Sequence, residues 1–185
     1  MPIGNLTKAD ILAGLTRLSE LARKENTVLE MSLYGGALML LAYDSRQTTK
    51  DVDAIIHPSE VGRRLAGKVA QEMGWHDEWL SDEVRSFVST METRQSWKLP
   101  GLDATYLKVS RPTAKYLLAM KVMACRKAIP GNPGDIADIA FLLGKMAIKS
   151  VAQVEGIVDQ YFPDTVLPAA TIAVVEGLLA SARKK

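Results

Sequence analysis

The sequence predicts an α+β protein: a small mixed β-sheet flanked by helices, followed by a C-terminal helical region. Two short apolar segments with strand character carry the first half of that expectation. Thr27 to Tyr34 runs into Gly35-Gly36, and Asp51 to His57 is stopped by Pro58. The second half comes from residue 112 onward, where every apolar pattern is helical and the breaks are rich in Pro and Gly. Strands early and helices late define an α+β arrangement. The division expected is an α/β core over 1–110 and a helical region over 111–185.

Each element has a local reason. Leu6 to Arg23 places Ile11, Leu12, Leu15, Leu18 and Leu21 near one stripe, and Thr7 with Asp10 forms a capping pair. Ala37 to Tyr43 is short and apolar, which suits a buried helix starting at the glycines. Ser59 to Met73 has Glu60 in its first turn and Gly74 after its end. Trp75 to Ser89 reads as irregular or helical, and Thr90 to Val109 as two short strands around Pro100-Gly101. The later helices span about 112–127, 134–146, 150–161 and 168–183.

Composition narrows the class. At 185 residues, 48% hydrophobic and 24% charged, the chain is long and apolar enough to bury a real core. A net charge of +2 does not argue for a nucleic-acid partner. Cys125 is the single cysteine, so an intrachain disulfide and a Cys/His zinc motif are excluded. The opening Met-Pro-Ile-Gly-Asn is not a signal peptide, and no apolar run approaches the roughly 20 residues of a membrane span. A cytoplasmic protein with no membrane partner is expected. Three tryptophans and 6% aromatics do not make a base-stacking platform, and His57 and His76 lack metal-ligand spacing.

Three segments carry chemistry when taken together. Glycines at Gly35-Gly36 let the backbone approach a ligand closely, and a helix starting there offers free amides and a positive dipole end to phosphate. Asp51 and Asp53 are i and i+2 on a strand, so both carboxylates share a face while Val52 and Ala54 take the other. Like charges that close repel unless a cation or proton relieves them, and oxygen donors at this spacing suit Mg²⁺ or Mn²⁺. The apolar Ile55-Ile56 that follows argues for a buried strand. Between them, Asp44 to Lys50 brings cations and hydroxyls up to the aspartates, with Arg46 and Thr49 placed to position a nucleotide or brace the carboxylates.

Leu33-Tyr34-Gly35-Gly36-Ala37 followed by Arg46-Gln47-Thr48-Thr49-Lys50-Asp51-Val52-Asp53 resembles the polymerase-beta-type nucleotidyltransferase superfamily. The closest resemblance is to its small bacterial and archaeal branch, related to abortive-infection nucleotidyltransferase toxins. Leu117-Leu118-Ala119-Met120-Lys121, Arg126 and Asp135-Ile136-Ala137-Asp138-Ile139 are similar to later elements of that family, so the resemblance spans about residues 30–145. It implies a nucleotidyltransferase fold in which Gly35 and Gly36 hold a nucleoside triphosphate and Asp51 and Asp53 hold the metal. It further implies that Lys121 contacts phosphate or supports the acidic cluster, and it adds Asp135 and Asp138 to the site. The implied activity is Mg²⁺-dependent transfer of a nucleoside monophosphate to a hydroxyl of RNA or protein, in a toxin with a cognate antitoxin as partner.

Two features depart from the pattern. Gly-Ser is the commoner corner, and a third carboxylate on a later strand often completes the metal site. The candidates for that carboxylate here are Glu92 and Asp103. The rival expectation is therefore a catalytically inactive nucleotide- or protein-binding module of the same fold.

Overall fold

The computed structural model describes residues 5–129 and 134–183. It is α+β, and the chain divides into two compact units: Met1–Phe87 with Arg94–Arg111, and Val88–Thr93 with Pro112–Lys185.

The first unit holds the sheets. A short strand β1 (Leu6–Thr7) leads into helix α1 (Lys8–Lys24), whose start is closed by the predicted capping box between Thr7 and Asp10. Next come β2 (Leu29–Leu33), helix α2 (Gly35–Tyr43), β3 (Thr48–Thr49), β4 (Val52–His57) and helix α3 (Ser59–Met73). Trp75 to Ser89, expected to be irregular or helical, contains two 3-10 turns with a two-residue strand, β5 (Leu80–Ser81), between them. Strands β6 (Arg94–Ser96) and β7 (Leu107–Pro112) complete the unit.

The main sheet has the order β5-β4-β2-β7-β6, and β1 pairs separately with β3. Strand β2 runs antiparallel to β4 and parallel to β7, which makes the sheet mixed, as expected. Its two faces differ because side chains alternate. Leu29, Met31 and Leu33 of β2, Val52, Ala54 and Ile56 of β4, and Leu107 and Val109 of β7 join one core. Ile11, Leu15 and Leu18 of α1 and Leu65, Ala66 and Val69 of α3 belong to the same core. Trp79 seals it, its indole N–H donating to the Ala66 carbonyl at 3.0 Å. Glu30, Ser32, Asp53, Ile55, Lys108 and Ser110 alternate onto the opposite face.

The second unit is helical: α4 (Ala114–Ala124), α5 (Ile136–Lys145), α6 (Val151–Tyr161) and α7 (Ala169–Ala182). The expected division at 110/111 lies one residue from the observed change, but residues 88–93 belong with the helices rather than with the α/β core. Hydrogen bonds explain that placement: the Ser89 N–H donates to the Tyr116 hydroxyl at 2.8 Å, and the Ser89 hydroxyl donates to the Tyr161 carbonyl. The Thr113 N–H, at the start of α4, donates to the Thr93 carbonyl at 3.0 Å. No described helix is long and apolar enough to cross a membrane.

Leu15 is fully buried in the first unit. Leu15→Ala is expected to cost about 2–5 kcal/mol in urea or guanidinium unfolding through lost burial and the cavity left behind.

Candidate functional site

The site begins where β2 ends. The Tyr34 N–H donates to the Asp53 carbonyl at 2.9 Å, which pins the exit of β2 to the start of β4. Helix α2 starts at the next residue, Gly35, with φ +61, a left-handed conformation that favours glycine. A Cβ on Gly35 would lie 1.8 Å from Asp53 Oδ2, so the carboxylate rests against bare backbone at the beginning of the helix. A Cβ on Gly36 would lie 2.6 Å from Thr49 Oγ1 and 3.1 Å from Arg46 Nη1. Five of the predicted residues, Gly35, Gly36, Arg46, Thr49 and Asp53, are thus brought into one corner by elements adjacent in the chain.

Asp51 stands one residue before β4 and two before Asp53. Val52 and Ala54 are buried in the core while Asp51 and Asp53 are half-buried, as alternation requires. Among the described residues no group of three or more His, Cys, Asp or Glu side chains is placed to hold a metal. Were a cation held at this corner, Asp51 and Asp53 would offer it two hard carboxylates. Such a donor set would suit a hard divalent cation: Mg²⁺ ordinarily takes one or two carboxylates and completes its shell with water and substrate phosphates.

Asp103 is not in this corner. It lies in the connection between β6 and β7, where its carboxylate accepts from the Thr105 N–H at 2.9 Å and its carbonyl accepts from the Ser19 hydroxyl at 3.1 Å. The Thr105 amide holds its carboxyl below the usual range. The Leu29 N–H donates to Tyr106, which puts this connection at the start of β2, whereas Asp53 is at its end. Five residues of strand separate the two positions, about 16 Å at roughly 3.3 Å per residue. Glu92, the other candidate, sits in the turn before β6, its N–H donating to the Ser89 carbonyl at 3.3 Å.

A neighbour that the sequence pattern missed is β5. It runs parallel to β4 with Ser81 opposite Asp53, and Asp82 and Glu83 follow directly. Asp82 faces Arg63 at 3.6 Å and Arg85 at 3.8 Å. A two-residue strand between two 3-10 turns is too short to show any periodicity, so only the pairing with β4 reveals it.

Lys121, Asp135 and Asp138 form a cluster within the second unit. Lys121 Nζ lies 2.7 Å from Asp135 and 2.9 Å from Asp138, and all three side chains are almost wholly buried. Asp135 also accepts from Arg126, through the side-chain Nε at 2.8 Å and the backbone N–H at 3.1 Å. Burial alone would push the Asp135 carboxyl up, but the Arg126 guanidinium and the Lys121 ammonium outweigh it and hold the group at about 2. Asp135 occupies the N-cap position of α5, yet its side chain makes no cap hydrogen bond and serves these two cations instead.

Compared with protein-family models, curated proteins and solved structures, the chain matches none.

Two outcomes are expected. Gly35→Ala should lower stability by about 1–3 kcal/mol from its left-handed backbone alone, and further where Asp53 must move. Thermal or chemical unfolding measures it, with Gly67→Ala, where a Cβ meets open space, as the control. The second concerns pH. Asp135 has a lower pKa folded (about 2) than unfolded (3.8), so its stabilisation is complete above 3.8 and fades as pH falls toward 2. That interval corresponds to about 2 kcal/mol, and the slope between pH 4 and pH 2 should flatten in Asp135→Asn.

Proposed function

We propose that the first unit binds a nucleoside triphosphate with Mg²⁺ or Mn²⁺ at the Gly35–Asp53 corner and transfers its nucleoside monophosphate to a hydroxyl. The observation that carries this reading is the Asp53 carboxylate packed on the bare Cα of Gly35 at the start of α2. The missing Cβ atoms let the Asp53 carboxylate close on the start of α2, which sets a group able to hold a cation beside backbone of the kind that receives phosphate. Arg46 and Thr49, both against Gly36, add a guanidinium and a hydroxyl of the kind that hold phosphate oxygens. When bound, the metal supplies positive charge that offsets the two aspartates and the phosphates together.

In the proposed reaction the acceptor hydroxyl oxygen attacks the α-phosphorus. The new P–O bond forms as the bond to the β-phosphate oxygen breaks, pyrophosphate leaves, and the hydroxyl proton passes to solvent or to a carboxylate of the site. The amides at the start of α2 and the Arg46 guanidinium are fixed before reaction, which is how a site stabilises charge that develops on phosphate oxygens. Of the two roles that the resemblance implies for Lys121, its contacts favour support of an acidic cluster over direct contact with phosphate. RNA or a protein side chain is the proposed acceptor, in a toxin-antitoxin setting with a cognate antitoxin.

The test is purified protein with each labelled nucleoside triphosphate, Mg²⁺, and pooled RNA or lysate, scored for label transfer. Asp51→Ala with Asp53→Ala should reduce transfer by at least about a hundredfold while leaving the unfolding midpoint in place. Mg²⁺-dependent nucleotide binding without transfer, lost in the double variant, would instead identify a binding module. Binding undiminished in the double variant would mean that the site lies elsewhere.

A further inference from the structure

The face of the sheet opposite the core carries a second polar group beside the aspartates. Ser32 in β2 and Ser110 in β7 are register partners, and their hydroxyls meet at 2.9 Å. Ser32 is buried, and Ser110 also donates to the Met31 carbonyl at 3.3 Å. Arg94, on the exposed edge strand β6, reaches back across β7 and donates through Nη1 to the Ser32 hydroxyl. A long cationic side chain from the rim is thereby fixed over the middle of the sheet.

The register says how near this cation is to the aspartates. Ser32 pairs with Ile55, so Ser32 and Asp53 are diagonal cross-strand neighbours on the same face. Such positions are about 7–8 Å apart, close enough for long side chains to interact. The guanidinium is thus held within one polyphosphate's length of the carboxylates. Its planar fork of donors matches phosphate oxygens better than an ammonium does. Two serines on adjacent strands hold this side chain in from the rim.

We propose that Arg94, positioned by Ser32 and Ser110, is a phosphate-binding residue that grips the β- and γ-phosphates of the nucleoside triphosphate whose metal end sits on Asp51 and Asp53. This rests on the nucleotide-binding reading above for its substrate, but the cation and its serine support stand on their own geometry. It also gives β6 a purpose, since a three-residue edge strand with every residue exposed contributes little to the core.

The experiment measures equilibrium binding of each Mg²⁺-nucleoside triphosphate, each nucleoside monophosphate and metal-free tripolyphosphate to the full chain and to Arg94→Ala, Arg94→Lys and Ser32→Ala. Arg94→Ala should weaken triphosphate and tripolyphosphate binding about tenfold to a hundredfold, the range for a hydrogen bond to a charged group. Monophosphate binding should change less than twofold. Arg94→Lys should recover part of the loss, and Ser32→Ala should weaken triphosphate binding by a smaller factor with the unfolding midpoint near that of the parent. Equal triphosphate binding by Arg94→Ala and parent would overturn the inference. If the parent binds no nucleotide but binds tripolyphosphate through Arg94, the nucleotide reading fails while the phosphate site stands. If it binds neither, both fail.

Discussion

A carboxylate rests directly on a glycine Cα where β2 turns into α2, and the antiparallel pairing of β2 with β4 is the constraint that puts it there. The Tyr34 N–H on the Asp53 carbonyl fixes where β2 ends relative to β4. A one-residue slip of that pairing would turn Asp53 into the core and Val52 out of it, because strand side chains alternate. The three apolar residues of β4 that face α1 and α3 therefore set the direction of the aspartates. Register is enforced by burial, and the polar geometry follows from it.

This arrangement is electrostatically uneven by design of the backbone. Helix α2 has no side-chain cap at Tyr34, and its first residue is a left-handed glycine against which the Asp53 carboxylate lies. A carboxylate near a helix N-terminus is favourable, but a second carboxylate two residues away on the same strand face is not. Arg46 brings a cation to Gly36, the next residue of the same corner.

Much of the fold was legible because its elements are long or sharply punctuated. The 15 residues of α3 match the expected span residue for residue, since Pro58 and Gly74 bracket it. The corner residues were legible for a related reason: Gly35-Gly36 and Asp51-Val52-Asp53 are local patterns whose geometry depends on a single strand each. What escaped is non-local or very short. Strands β1, β3 and β5 have two residues apiece, too few for any periodicity, and exist only through their partners. Arg94 over Ser32 joins residues 62 apart in sequence, and residues 88–93 follow the helices because of hydrogen bonds to Tyr116 and Tyr161. Asp103 needs the register to be placed: on sequence alone a carboxylate near a later strand can fall at either end of β2, and the Leu29–Tyr106 bond puts its connection at the start.

Lys121, Asp135 and Asp138 show how the same residue types serve another end. With Arg126 included, two cations face two carboxylates, and the geometry is tight enough to keep Asp135 ionised despite complete burial. An assembly so fully compensated gains little from an added ion or phosphate, and opening it would strand a buried charge, typically at 3–5 kcal/mol. Its physical effect is to fasten the chain after α4 to the start of α5. Asp51 and Asp53, at the start of β4, differ in being half-buried rather than enclosed. Where the fold matches buried charge this completely, as at Lys121 and Asp135, the charge acts as structure.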